Sequence, residues 1–220
     1  MQQQARIYSN FDAGMAQACA EGAKADPVLT EQKGGYLVAL RPSDEVLRTV
    51  VASTAAFAEM GMFPYNARLH TTAFDYKVAA GFDPDKDPDR QQIMGIFMDI
   101  ADEVVPTSPV DCLYEGFAFN RTTLIIKGLP SRGFFDLAQT LVNRANAHGI
   151  EVKMPWGGHI TAGRFQKPVE PAVLKGMRDT LQNVHFPTVR QAFTELRVGQ
   201  FISTKNSFDV TWIAAFPLPH

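Results

Sequence analysis

His-x-Thr occurs twice in this chain, each time on a stretch that alternates like a strand: His70-Thr71-Thr72 within ARLHTTAF (67–74) and His159-Ile160-Thr161 within GGHITAGRF (157–165). Residues i and i+2 of a strand project from one face, so each histidine shares a face with its threonine. Arg68 has the parity of His70, while Leu69, Thr71 and Ala73 take the other face. In the second segment Ile160 and Ala162 turn inward, and Arg164 falls on the parity opposite His159 unless Gly163 introduces a bulge. A single copy of so short a pattern arises by chance in many proteins. Two copies constrain the fold: if the strands lie side by side about a pseudo-twofold axis, two imidazoles and two hydroxyls converge on one cleft.

The hydrophobic pattern around them spells out an α+β order. GGYLVALRP (34–42), opened by glycines and closed by proline, reads as a buried strand. Ser43 starts a helix to about Glu59, with Asp44 and Glu45 suited to the positive end of its dipole and Val46, Val50, Phe57 and Met60 on or near its inner stripe. After a turn at Pro64 and Asn66 comes the first motif strand. The polar loop FDPDKDPDR (82–90) leads into a helix from Arg90 to Val104, with Ile93, Ile96, Phe97 and Ile100 on one face. Strands are expected at Asp111–Phe119 and Thr122–Lys127, then a helix at Ser131–Ala147 that stops at His148-Gly149. The second motif strand follows, then a helix at Glu170–Val184 and a strand pair, Phe193–Thr204 and Phe208–Phe216, turned by Lys205-Asn206-Ser207. Strand, helix, motif strand, helix, strands thus runs twice, a degenerate internal repeat. Residues 1–33, polar and Ala-rich with a helical pattern over Asp12–Glu21, form an N-terminal extension to a single bilobal domain at 34–220.

Composition narrows the partners. At 220 residues, 45% hydrophobic and 20% charged, the chain can bury a real core. Its net charge of −2 supplies no field to hold long duplex nucleic acid, so an anionic ligand needs a local cluster. Cys19 and Cys112 show no metal or redox spacing and read as reduced thiols. MQQQARIYSN has no basic stretch followed by an apolar core, and no run nears the roughly 18 apolar residues of a membrane span. A monomer in the cytoplasm, without membrane contact, is the expectation.

Two histidines and two threonines on one cleft suit phosphodiester cleavage. One neutral imidazole can take a proton from the attacking oxygen while a protonated one delivers a proton to the leaving oxygen, with no metal or cofactor. Threonine hydroxyls can donate to the non-bridging oxygens, where charge gathers in the transition state. The chain resembles the 2H phosphoesterase superfamily, whose signature is two His-hydrophobic-Thr/Ser-hydrophobic motifs; the likeness runs from about Gly35 to Pro217. His159-Ile160-Thr161-Ala162, followed by Arg164-Phe165, matches closely, and WIAAFPLP (212–219) looks like the family's closing strand. The first motif departs, with Thr71 where a hydrophobic residue is usual; its hydroxyl should face the core and need a partner.

The resemblance implies two antiparallel sheets flanked by helices around a central groove. It also implies metal-independent hydrolysis of a cyclic phosphate or phosphodiester in a nucleotide or short oligonucleotide. A 2′,3′-cyclic phosphate is the simplest substrate, with 2′-5′ linkages and cyclic oligonucleotides as further ones. By that resemblance His70 and His159 share the acid and base roles, and Thr72 and Thr161 bind the phosphate. Arg68 and Arg164 can supply positive charge. Lys153 and Trp156, in EVKMPWGG before the second motif, line the mouth of the cleft, the indole stacking a base; Tyr36 is a further aromatic candidate. The alternative is a binding module that uses the same groove without turnover. DPDKDPD lacks the glycine and glutamate of a calcium loop, with Pro88 and Met94 in their places, and reads as a solvated loop. His148 reads as a helix-end residue.

Overall fold

A computed structural model describes residues 2–64, 69–104, 106 and 108–218. The chain runs α1 (Gln2–Glu21), α2 (Pro27–Thr30), β1 (Lys33–Arg41), α3 (Asp44–Thr54), a 3₁₀ turn (Ala55–Phe57), β2 (Met62–Pro64), β3 (Thr71–Ala80) and α4 (Arg90–Glu103). It continues through β4 (Asp111–Phe119), β5 (Thr123–Pro130), α5 (Arg132–Ala147), β6 (Ile160–Phe165), α6 (Pro171–Gln182), β7 (Gln191–Ala192), β8 (Glu195–Ser203) and β9 (Phe208–Pro217). Two antiparallel sheets result, in the orders β3-β1-β8-β9 and β2-β6-β5-β4-β7. The α+β reading and the two sheets of the repeat are therefore what the chain adopts.

The repeat is interlocked. β1-α3-β3 forms an antiparallel pair in the first sheet and β5-α5-β6 its counterpart in the second. The strands after each motif cross over: β4 pairs with β5, and β8 with β1. Neither half completes a sheet alone, so one core runs from Ala18 to Leu218. Phe74 and Tyr76, on the outer face of β3, pack edge-on against Phe97 of α4 at 5.0 and 6.2 Å.

Several boundaries differ from the sequence reading, each for a local reason. The first helix begins at Gln2 rather than Asp12, because Gln4 and Tyr8 are anchored to the Gly128 backbone. The α3 helix stops at Thr54 instead of Glu59 and tightens into the 3₁₀ turn. Its last turns carry Thr49, Ser53 and Thr54, whose hydroxyls donate back to carbonyls four residues earlier, a pattern that bends helices. The β3 strand runs on to Ala80, well beyond Phe74. The short strands β2 and β7 carry no alternation long enough to read. Within DPDKDPD, Asp87 is a built-in anchor: it accepts from Tyr36 Oη at 2.9 Å and pairs with Lys77 at 3.0 Å.

Thr71 is fully buried, and among the described residues neither its Oγ1 nor the buried Tyr114 hydroxyl beside it completes a hydrogen bond. A buried polar group left unpaired costs about 1–3 kcal/mol. Replacing both with shape-preserving apolar residues, Thr71→Val with Tyr114→Phe, is expected to raise the unfolding free energy by about 1–2 kcal/mol, read as a higher urea midpoint at unchanged slope.

Candidate active site

The two motif strands share an irregularity. On β3, Phe74 pairs with Val38 but Thr72 pairs with Ala39, leaving Ala73 as an extra residue. On β6, Gly163 pairs with Leu124 but Thr161 pairs with Ile125, leaving Ala162 extra. Each motif threonine is thus followed by a β-bulge. A bulge shifts side-chain parity by one: Asp75, opposite Leu37, returns to the face of Thr72, and Arg164, opposite Thr123, returns to the face of Thr161. The burial patterns agree, since Ala73-Phe74 and Ala162-Gly163 are consecutive buried pairs flanked by more open residues. Asp75 and Arg164 occupy equivalent places in the two halves.

His70, Thr72, His159, Thr161, Arg164 and Asp75 all line one cleft of about 340 Å³ between the sheets. Lys153 and Trp156 line it too, as does Lys33. Each histidine leans on a tryptophan. The His159 ring lies parallel to Trp156, with centroids 3.9 Å apart and planes 14° apart. His70 meets Trp212 edge-on at 5.6 Å. Trp212 can lie down across β8 because its neighbour there is Gly199, where a Cβ would stand only 3.0 Å from the indole. Arg197 sits against the same ring, 5.4 Å from its centroid.

Packing holds the His159 imidazole well below its ordinary range, at about 3. Lost hydration is the main cause, and positive charge on His70 and Arg164 pushes the same way. The Gly157 backbone opposes this, although among the described residues the buried Nδ1 completes no hydrogen bond. The resting ring is therefore neutral, and a charge on one histidine disfavours a charge on the other. The indole face beneath it can attract an imidazolium once a proton is taken up.

The N-terminal segment supplies the backing. The Tyr8 hydroxyl donates to the Gly128 carbonyl and accepts from the Gly128 N–H, both at 2.8 Å, and its ring meets Trp156 edge-on at 5.6 Å. Gln4 packs on Gly157, where a Cβ would stand 2.7 Å from the glutamine Cγ and displace it. Asp26, only 2% exposed, accepts from Arg164 at 2.7 Å, from Thr123 Oγ1 at 2.7 Å and from the Val28 N–H at 2.7 Å. It caps α2 and aims the cleft guanidinium in one arrangement.

Not every sequence candidate joins the cleft. Tyr36 has the wrong parity: it is fully buried on the opposite face of the sheet, edge-on to Phe82 at 5.1 Å and bonded to Asp87. Arg68 lies outside the described residues. Trp156 reaches the cleft, but one face of its indole is taken by His159. Sequence parity missed Asp75, and nothing local marked Trp212, Asp26 or Tyr8. Among the described residues no cluster of His, Cys, Asp or Glu is grouped to hold a metal ion, and no helix is long and apolar enough to cross a membrane.

No family model and no curated protein matches the sequence. Solved structures do. A phosphoesterase with 16% identity aligns over 86% of this chain and 100% of its own, with a TM-score of 0.53. LigT of E. coli complexed with 3′-AMP gives 15% identity, 86% and 100% coverage and a TM-score of 0.54. A protein of Thermus thermophilus gives 17%, 84% and 97%, and 0.54. At such identities the likeness is one of fold: the chain has the fold of the LigT-type phosphoesterases.

Three outcomes are expected from this geometry. The unfolded His159 ring titrates near 6.5 and the folded one lower, so the unfolded chain binds the extra proton in between. Its contribution to stability is complete above about pH 6.5 and is lost as the pH falls toward about 3. Urea titrations across that range should show a shallower acid loss in His159→Gln, and Trp156→Ala should raise the ring's titration point by NMR. Asp26→Ala strands Arg164 and Thr123 and removes a cap, and should lower the unfolding free energy by about 3–5 kcal/mol in urea melts.

Proposed function

We propose that the protein is a metal-independent phosphodiesterase of nucleotides or short oligonucleotides, and that a 2′,3′-cyclic phosphate is its simplest substrate. The observation that carries this reading is the convergence of both His-x-Thr pairs, with Arg164 between the sheets, on a single cleft of about 340 Å³. That space suits a mononucleotide better than a helix of nucleic acid. Solved LigT complexes with 3′-AMP and with NADP+ support a nucleotide ligand on this fold.

We assign His159 the base role and His70 the acid role, because the resting His159 ring is neutral and can take up a proton. Its Nδ1 is buried, so the nitrogen offered to the cleft is Nε2. Nε2 takes a proton from the attacking water as its oxygen bonds to phosphorus. The protonated His70 ring gives its proton to the departing ribose oxygen as the P–O bond breaks, leaving a nucleoside monophosphate. Thr72, Thr161 and Arg164 hold the non-bridging oxygens, where negative charge peaks. Proton exchange with water then resets both rings. The positive charge gained by His159 in the transition state is met by the phosphate on one side and the Trp156 face on the other.

The test is hydrolysis, in EDTA, of 2′,3′-cyclic nucleotides, 2′-5′ and 3′-5′ dinucleotides and cyclic dinucleotides. Turnover should persist in the chelator and fall by about 10²–10⁴-fold in His70→Ala and in His159→Ala. Tight binding without turnover of any panel member would instead favour a nucleotide-binding module.

A further inference from the structure

Asp75 sits oddly in a cleft built for an anion. Arg164 and Lys153 bring positive charge to it, and Lys33, already paired with Glu31 at 3.0 Å, lies on its rim. Asp75 is the lone carboxylate among its described lining residues. It is not an accident of a loose loop, because the Ala73 bulge places it in register opposite Leu37 on β1, which stands opposite Gly199 on β8. Among the described residues no cation pairs with it, and its own backbone N–H is the polar group that meets its carboxyl. Although open to the cleft, the carboxyl is sheltered enough for lost hydration to lift it above its ordinary range.

A carboxylate repels phosphate, so Asp75 must face another part of the substrate. Its surroundings there are apolar: Leu37, Val78, and the Phe201 and Phe208 rings stacked 5.2 Å apart. This is a setting for a nucleobase. An ionised carboxylate only accepts hydrogen bonds, and its two oxygens match two donors side by side. Guanine offers such an edge, in N1–H and the N2 amino group. Adenine and cytosine set one amino group beside an acceptor nitrogen, and uracil sets one N–H between two carbonyls.

Resting on the phosphodiesterase reading, we propose that Asp75 is a specificity residue that makes this a guanine-selective site, with N1–H and N2–H of the base donating to its two carboxylate oxygens. The charges then polarise the substrate. Phosphate lies toward Arg164 and base toward Asp75, two positions made equivalent by the repeat and opposite by their side chains.

The experiment compares kcat/KM for 2′,3′-cyclic GMP, IMP, AMP, CMP and UMP in the wild type, Asp75→Asn and Asp75→Ser. Calorimetric affinities for 2′-GMP and 2′-AMP are measured in the same proteins. The expected result is a guanine preference of about 10- to 100-fold over adenine, an intermediate value for hypoxanthine, which lacks the N2 amino group, and convergence of the two purines in both variants. Turnover without a guanine preference, or with one that survives in the variants, overturns the role of Asp75 and leaves the phosphodiesterase reading intact. If no substrate is turned over, that reading falls, and the affinities decide the base site alone: tighter 2′-GMP binding that depends on Asp75 upholds it, and equal binding overturns it. Should both variants fail to fold, the wild-type ratios of guanine to hypoxanthine and adenine decide the matter.

Discussion

One extra residue after each motif threonine, Ala73 in the first sheet and Ala162 in the second, decides which side chains meet in the cleft. Without these bulges strict alternation would turn Asp75 and Arg164 into the layers beneath the sheets, where an unpaired charge costs several kcal/mol. With them, both charges come round to the side of the histidines. The residues inserted are alanines, small enough to sit fully buried where the pleat is broken. That the same device stands at the same point of both motifs is the clearest structural mark of the internal repeat, clearer than any residue identity between the halves.

The repeat produces symmetry in the backbone and asymmetry in the chemistry. Each histidine rests on an indole, but His159 is stacked flat on Trp156 whereas His70 meets Trp212 edge-on. Such aromatic pairs contribute about 0.5–1.5 kcal/mol beyond the area they bury, enough to hold each ring in one orientation. The tight stack also helps keep water from His159, whose ring rests neutral, so two identical residues of the repeat stand in different environments. A similar division affects the bulge-borne residues, one an arginine held by Asp26, the other an aspartate left open to the cleft.

The N-terminal segment supports the cleft rather than lying beside it. Tyr8, clamped on both sides of Gly128, backs the indole that backs His159, and Asp26 fixes the guanidinium that faces Thr161. Read as a sequence, these residues were an Ala-rich stretch with a helical pattern from Asp12. Their contribution is invisible there because each acts on a residue more than a hundred positions away, through a ring edge or a buried carboxylate that carries no local signature.

Short-range geometry accounts for everything that was legible in the chain alone. Period-two alternation put His70 with Thr72 and His159 with Thr161, the order of elements revealed the repeat, and turn and cap residues set most strand and helix ends. The rest waited for the assembled sheets. Aromatic character alone made Tyr36 a candidate and parity left Arg164 undecided, because the sheet face used by β1 and the bulge on β6 depend on pairing partners rather than on the strand's own residues. Asp75 lies past the stretch read as the first motif strand, and only the Ala73 bulge brings it to the face of Thr72. Trp212 reaches His70 only because Gly199, on another strand, leaves room beneath it. Alternation is a property of one chain segment in isolation; register, bulges and ring contacts exist only once separate segments have been brought together.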